Sequence, residues 1–298
     1  MMEAIQGVVT FFLSLFSAGS IATAQISSSD ELPIAHLVPG GVAVVSAGYG
    51  LQPPKVTFDG QPVMVIRPDQ QKPWQAIVGI PLKQPVGNAS IQIDNKTVTF
   101  AVRDKAYPEQ HLTVQKKHVN PDQKQLDRIY GEFAEMGKVY KSFTPAQPWH
   151  PMAWPAKGPL SSAFGLKRFF NGEQRNPHSG LDIAAPRGTP ILAPADGKVV
   201  LTGDFFFNGN SVFIDHGQGL ISMFCHMDAI EVKEGETINA GDRLGVVGSS
   251  GRATGPHLHW TVSLNNARIN PMLMMSPLQF SASLSDSHGK PVQASGGE

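Results

Sequence analysis

The rhythm of apolar and polar positions along this 298-residue chain changes three times. From about Ile34 to Val102, the segments VAVV, KVTFDGQPVMVI, WQAIVGIPL and SIQIDNKTVTFAV are rich in β-branched residues and alternate partly with period two. Side chains alternate faces along a strand, so the pattern predicts short strands. Asp59-Gly60 and Asp94-Asn95 fall where hairpin turns are needed. A small β-sandwich is expected. Next, NPDQKQLDRIYGEFAEMGKVYKSF places Leu126, Ile129, Tyr130, Phe133, Met136 and Tyr140 at three- and four-residue spacing. That is a helix with one apolar stripe, Asn120 its expected N-cap and Pro121 its first residue. Gly131 and Gly137 each cost it about 1 kcal/mol against Ala, so tertiary packing has to hold it. Five prolines from Pro145 to Pro159, with Trp149 and Trp154 among them, predict an extended linker at a domain boundary. Glycine-punctuated strands then return in TPILAPADGKVVLTGDF, NSVFIDHG, LISMFCHM and EVKEGETINAGDRLGVVG.

Composition agrees with a mainly β globular chain: 41% apolar residues, 30 Gly and 24 Pro. Lys plus Arg and Asp plus Glu are both 24, so no overall field draws nucleic acid or an anionic membrane, and neither is expected as a partner. Cys225 is alone, which excludes an intramolecular disulfide. Near the N-terminus an apolar run from Val8 to Ile21 ends in Ala22-Thr23-Ala24, a small-x-small cleavage pattern. Residues 1–24 read as a secretory signal, although the segment carries Glu3 and no Lys or Arg before the run. The mature chain is then expected outside the cytoplasm, periplasmic or wall-associated, with no stable membrane span. The polar, Ser- and Gly-rich residues from Ser276 onward predict a disordered tail.

Candidate chemistry begins with SSGRATGPHLHW. On a strand His257 and His259 share a face about 7 Å apart, so both can approach one small object. Further partners come from PHSGLD and FCHM. His178 and Asp182 would be roughly 13 Å apart on a straight strand, which calls for a bend at Ser179-Gly180. His226 lies on LISMFCHM; Cys225 is expected on the opposite side, as a core cysteine rather than a nucleophile. Two His and one carboxylate form a known zinc set, and three protein ligands leave a position open for water, the arrangement of a catalytic site. Further imidazoles nearby can move protons. Singly, each histidine is commonplace; together within about eighty residues they point to a metal centre.

HSGLD, the isolated His226 after a strand and TGPHLHW resemble the lysostaphin-type zinc peptidases, also called LytM-type peptidoglycan endopeptidases. The resemblance covers roughly residues 159–275. It implies that His178, Asp182 and His259 bind one zinc per chain, while His226 and His257 orient water and stabilise or protonate the reacting amide. It also implies a β-rich domain with a long groove, preceded by the N-terminal β domain of secreted relatives. The implied partners are peptidoglycan stem peptides and cross-links, D-Ala to meso-diaminopimelate in enzymes of this architecture and glycyl-glycine bridges in other members, and the sequence does not choose between them. The layout expected is a leader (1–24), a β-sandwich-like domain (25–114), helix and linker (115–158), a zinc peptidase domain (159–275) and a tail (276–298). This chain departs from the pattern in one respect. No tyrosine follows Tyr140, and position 224 is Phe, so oxyanion stabilisation would fall to zinc and His226 or His257, with Arg168 and Asn171 as helpers. Arg168 also reads as a surface or structural residue, and His216 as a loop residue outside the site. Two other classes compete: a metal-free regulator of the same fold that activates another wall hydrolase, and a biotinyl- or lipoyl-type carrier suggested by APADGKVV. The carrier lacks its hairpin lysine, and the regulator would usually lack ligands that are all present here.

Overall fold

The computed structural model describes residues 32–114 and 121–276. The expected leader and Asn120 lie outside these residues, as does the expected tail apart from Ser276. No described helix is long and apolar enough to cross a membrane.

The N-terminal strands are β1 (Val42–Gly48), β2 (Val56–Phe58), β3 (Gln61–Pro62), β4 (Met64–Ile66), β5 (Trp74–Gly79), β6 (Gly87–Ile93) and β7 (Lys96–Val102). They form two sheets, ordered β1-β5-β4 and β3-β2-β6-β7. Ala43, Val65 and Val78 from the first meet Val56, Ile91 and Ile93 from the second in a sandwich core. The intervening Val42, Met64, Ile66 and Ile77 face the other way, into a core shared with the C-terminal strands. Burial on both faces explains why MVI and WQAIVG do not alternate. Strand β8 (Glu109–Leu112) leaves the sandwich and pairs in parallel with β10 (Lys167–Phe170), which also pairs with β11 (Glu173–Gln174).

Helix α1 spans Gln123–Tyr140 and starts two residues later than expected. Asp122 is the N-cap: its carboxylate accepts from Gln125 N at 2.8 Å, and Gln125 Oε1 accepts from Asp122 N at 3.0 Å. This reciprocal box outcompetes the Asn-Pro start, leaving Pro121 ahead of the helix. The buried stripe is Ile129, Met136 and Tyr140; Tyr130 and Phe133, expected in it, are 62% and 52% exposed.

The large sheet is ordered β17-β14-β15-β16-β19-β12-β9, comprising Thr237–Ile238, Gly197–Phe205, Gly209–Asp215, Ile221–Ile230, His257–Leu264, Leu181–Ala184 and Leu160–Ser162. To it are added β18 (Arg243–Val247), paired with β16 and with β13 (Pro190–Leu192), and β20 (Ala267–Ile269), paired with β19. One face buries Val212, Phe224, Leu258 and Trp260 in the main core. The other buries Phe213, Met223 and Cys225 beneath Met136 and Tyr140 of α1.

The Pro-rich segment packs onto the C-terminal domain. Met152 is fully buried and bridges to Met275, Leu192 N donates to Pro155 O, and Trp154 sits edge-on to Trp260 with ring centres 6.2 Å apart. Two amide side chains then clamp the domains. Asn265 Oδ1 accepts from Gly79 N at 2.6 Å while its Nδ2 donates to Gly79 O at 3.0 Å. Gln218 does the same at Val65, at 3.0 and 3.2 Å. Both reach out from turns with positive φ, +43° and +51°, a conformation Asn and a few others tolerate.

Candidate active site

A groove of about 630 Å³ lies over the Cys225 face of the sheet, walled by Phe133 and Met136 of α1, Leu112 after the sandwich, and Leu82 and Lys83 of the N-terminal domain. Five residues singled out from sequence, His178, Asp182, His226, His257 and His259, line its floor. Trp149 and Trp154 are not among its lining residues.

Strand register builds the centre. Asp182 on β12 faces His259 on β19, and Ala184 faces His257, so the HxH pair and the carboxylate share one side. His259 Nδ1 lies 2.7 Å from Asp182 Oδ1, and His178 Nε2 lies 3.0 Å from both. His178 precedes the strand, and the chain bends at Gly180, as the spacing required. The reason for glycine is proximity rather than backbone freedom: a Cβ there would come within 2.5 Å of Trp260 O and 2.8 Å of His259 Nε2.

His226 arrives by another device. It has φ +61° at a bulge in β16, where the register against β15 shifts. Regular alternation would send it to the main core beside Phe224; the bulge places both Cys225 and His226 on the groove side and returns Met227 to the core. The expectation that Cys225 faces away from His226 is therefore corrected. Cys225 is nonetheless buried, and burial pushes its thiol up to about 12. The His226 ring lies 4.8 Å from that of His257 and 6.1 Å from that of His259.

Each imidazole has one nitrogen spoken for. His178 Nδ1 donates to Ala163 O at 2.7 Å, His226 Nδ1 to Ser250 O at 2.8 Å, and His257 Nδ1 to Gly255 O at 2.8 Å, while His259 Nε2 bonds Thr261 Oγ1 at 2.9 Å. These bonds orient the rings, leaving Nε2 of the first three and Nδ1 of His259 for the centre, where His178 Nε2 and His259 Nδ1 meet Asp182 Oδ1. Burial, with His257 and His259 close by, pushes His226 down to about 3; burial, against the pull of Asp182, pushes His259 to about 4. For Asp182, burial would raise the pKa, but the bonds to His178 and His259 more than reverse it and hold the carboxyl well below its ordinary value. Its second oxygen accepts from Arg168 Nη2 at 2.7 Å, and Arg168 is itself anchored through Nε to Gln110 of β8 at 3.1 Å.

Arg168 is thus neither a surface residue nor turned to an oxyanion. Asn171 is also tied elsewhere, exchanging two 3.0 Å bonds with the backbone of Val114. Phe224 is in the core away from the groove, so a hydroxyl there would not reach the histidines. His216 is buried between Asp196 O and Ser222 Oγ, apart from the cluster. Sequence reasoning missed Ser250 and Thr261; the only signal was their closeness to TGPHLHW.

The ligand atoms of His178, Asp182 and His259 all lie within 4.8 Å of one another, close enough to hold one metal ion. Two imidazoles and a carboxylate, each oriented by a further hydrogen bond, suit zinc.

Comparison with known proteins gives the same outline. Residues 176–271 match the model for peptidase family M23, and residues 35–105 match that for the M23 N-terminal domain. A crystal structure of a putative peptidase M23 from Pseudomonas aeruginosa is 44% identical with a TM-score of 0.69, covering 81% of this chain and 96% of that one. Peptidoglycan DD-endopeptidase ShyA of Vibrio cholerae is 37% identical over 127 residues, 42% of this chain and 30% of its own length. DD-carboxypeptidase/endopeptidase Mpg of Neisseria meningitidis is 38% identical over 118 residues, 40% and 27% of the two chains. The chain spans less than a third of the length of these two curated relatives. With both of its halves matched and nearly all of the Pseudomonas chain covered, this chain belongs to peptidase family M23.

Proposed function

We propose that the chain is a zinc metalloendopeptidase that hydrolyses peptide cross-links of bacterial peptidoglycan outside the cytoplasm. The observation that carries this reading is the convergence of three buried donors, each held from behind, at the floor of an open groove. His178 Nε2, His259 Nδ1 and Asp182 Oδ1 would hold the metal. Zinc in such a site lowers the pKa of water toward about 7 and polarises a carbonyl. His226 and His257 supply the proton traffic. Their Nδ1–H groups are committed to Ser250 and Gly255 carbonyls, so a neutral Nε2 on each can take a proton from attacking water and return it to the leaving amine. The Tyr140 hydroxyl is tied to Met223 Sδ at 3.1 Å, so the imidazole that has taken the proton, its Nε2 now an N–H donor, is the group placed to meet the oxyanion.

The metal-free regulator is the competing assignment, and it is disfavoured by the intact donor set and its supporting bonds. The relative named as a peptidoglycan DD-endopeptidase supports a peptide cross-link as the target, and a D-Ala to meso-diaminopimelate bond is the one proposed. Digestion of purified peptidoglycan is expected to convert cross-linked dimers to monomers without new reducing sugar ends, and a chelator is expected to stop it. Release of whole stem peptides from muramic acid would instead identify an amidase. Purified protein that holds no zinc and cuts nothing would favour the regulator.

A further inference from the structure

Arg168 has no part in the proton traffic proposed above, yet only 16% of its side chain is exposed. A guanidinium is costly to bury unless its donors are matched. Here Nη2 donates to Asp182 Oδ2 at 2.7 Å and lies 3.4 Å from Ser162 Oγ, while Nε donates to Gln110 Oε1 at 3.1 Å. The five donors of a guanidinium are fixed in one plane, so a bond that holds Nε also sets the angle at which Nη2 meets the carboxylate. Gln110 belongs to β8, in the chain that leaves the N-terminal sandwich, and the parallel register sets it directly beside Arg168 on β10. Its amide spans two neighbours, because Nε2 donates to Ser162 Oγ at 3.0 Å. Ser162 in turn faces Asp182 across β9 and β12, with its hydroxyl 3.4 Å from His178 Nδ1. Three residues before Gln110, the Tyr107 ring lies so close to Gly165 that an added Cβ would fall 2.0 Å from it, and Gly165 N donates to His178 O at 2.8 Å. The segment leading out of the sandwich thus braces both the Asp182 and the His178 sides of the centre.

A carboxylate can give a metal one oxygen or two. With Arg168 on Oδ2, Asp182 is left with Oδ1, the oxygen that lies 2.7 Å from His259 Nδ1 and 3.0 Å from His178 Nε2. Two effects of the guanidinium on metal binding oppose each other. Its positive charge disfavours a dication nearby, and its hydrogen bond fixes the carboxylate in advance. Partners that hold metal ligands from behind are typically worth about 10- to 100-fold in affinity, so the ordering is expected to prevail.

We propose that Arg168 and Gln110 are positioning residues for the metal: the guanidinium holds Asp182 to coordination through Oδ1 alone, and Gln110, contributed by the N-terminal half, holds the guanidinium. The proposal rests on the zinc reading above and extends it beyond the three ligands. The test is a chelator competition for zinc on the full chain. Gln110→Met, which keeps the length of the side chain and the backbone pairing of β8 with β10, is expected to weaken zinc binding about threefold to tenfold, the usual net worth of one hydrogen bond. Arg168→Met is expected to weaken it about 10- to 100-fold. In the double variant the Gln110 change is expected to add less than about twofold, because its path through Arg168 is already cut. With cobalt(II) in place of zinc, Arg168→Met is expected to lose visible absorption as the freed Oδ2 joins the metal and the coordination number rises. Unchanged zinc affinity in Gln110→Met overturns the proposal even if Arg168→Met does not fold. So does a fully additive loss in the double variant, and so does tighter zinc binding in Arg168→Met, which would show that charge repulsion dominates. Wild-type protein that takes up no zinc would overturn the metal reading itself.

Discussion

Asp182 divides its duties between two oxygens: Oδ1 turns to His178 and His259, Oδ2 to Arg168. That division separates metal binding from proton transfer in a way substitutions can read. Asp182→Ala and His259→Ala are expected to abolish zinc binding, whereas His226→Ala and His257→Ala are expected to keep the metal and lose roughly 10²- to 10⁴-fold in activity. Metal analysis beside a peptide assay decides it; full zinc in Asp182→Ala would reject the ligand assignment. Thr261→Val, which frees His259 Nε2, is expected to weaken zinc binding about 10- to 100-fold in a chelator competition. At this scale the sequence was informative wherever spacing alone carries geometry, as in HxH on a strand. It supplied His226 as a candidate but not its backbone, because a left-handed histidine at a bulge follows from how β15 and β16 register, not from neighbours in the chain. Arg168 was left open between a surface and a structural residue, and its structural part was hidden for a related reason. Its partner is fourteen residues away and its anchor, Gln110, fifty-eight.

Among the elements, α1 shows how a local signal can be read two residues too early. NPD offers two capping candidates, Asn120 and Asp122, and the decision falls to Gln125, which completes a box only with Asp122. Asp122→Ala is expected to cost about 1 kcal/mol of stability in a denaturant titration, the usual worth of an N-cap. No change would mean that packing of Met136 and Tyr140 alone sets the helix. The stripe from Leu126 to Tyr140 was visible as periodicity, but which part of it meets the sheet was not. Phe133 is half exposed because it walls the groove, stacked near Phe207 at 6.3 Å, instead of joining the core. Strand β4 lay within a segment already read as strand, though without alternation, whereas β8 was invisible for want of period. MVI is buried on both faces, and EQHL finds its partner only across the later chain, in β10.

The whole molecule is one assembly of two matched parts, joined by Asn265 on Gly79, Gln218 on Val65 and a core that Val42, Met64 and Ile77 share with the large sheet. Asn265→Ala strands a buried N–H and a buried carbonyl at Gly79, which is expected to lower stability by about 1–3 kcal/mol per unpaired group. Thermal unfolding should remain a single transition in the parent chain. A fragment starting at Lys157 loses Met152, Trp154 and Ala156 from the core, and is expected to melt far below the parent; a stable and more active fragment would contradict the packing. None of these joints could be seen beforehand, since Asn265 and Gln218 sit in turns that look like any polar loop. Their effect reaches the groove. Its described walls are supplied by α1, the chain after the sandwich and the tip at Leu82 and Lys83, all fastened to one frame. Any peptide that lies in it must do the straightening itself, at about 1–2 kcal/mol of conformational entropy for each residue fixed. A strand already pulled taut from both ends has surrendered that freedom in advance. For the cross-link hydrolysis proposed above, such a trench is expected to cut the stretched tether ahead of the slack one.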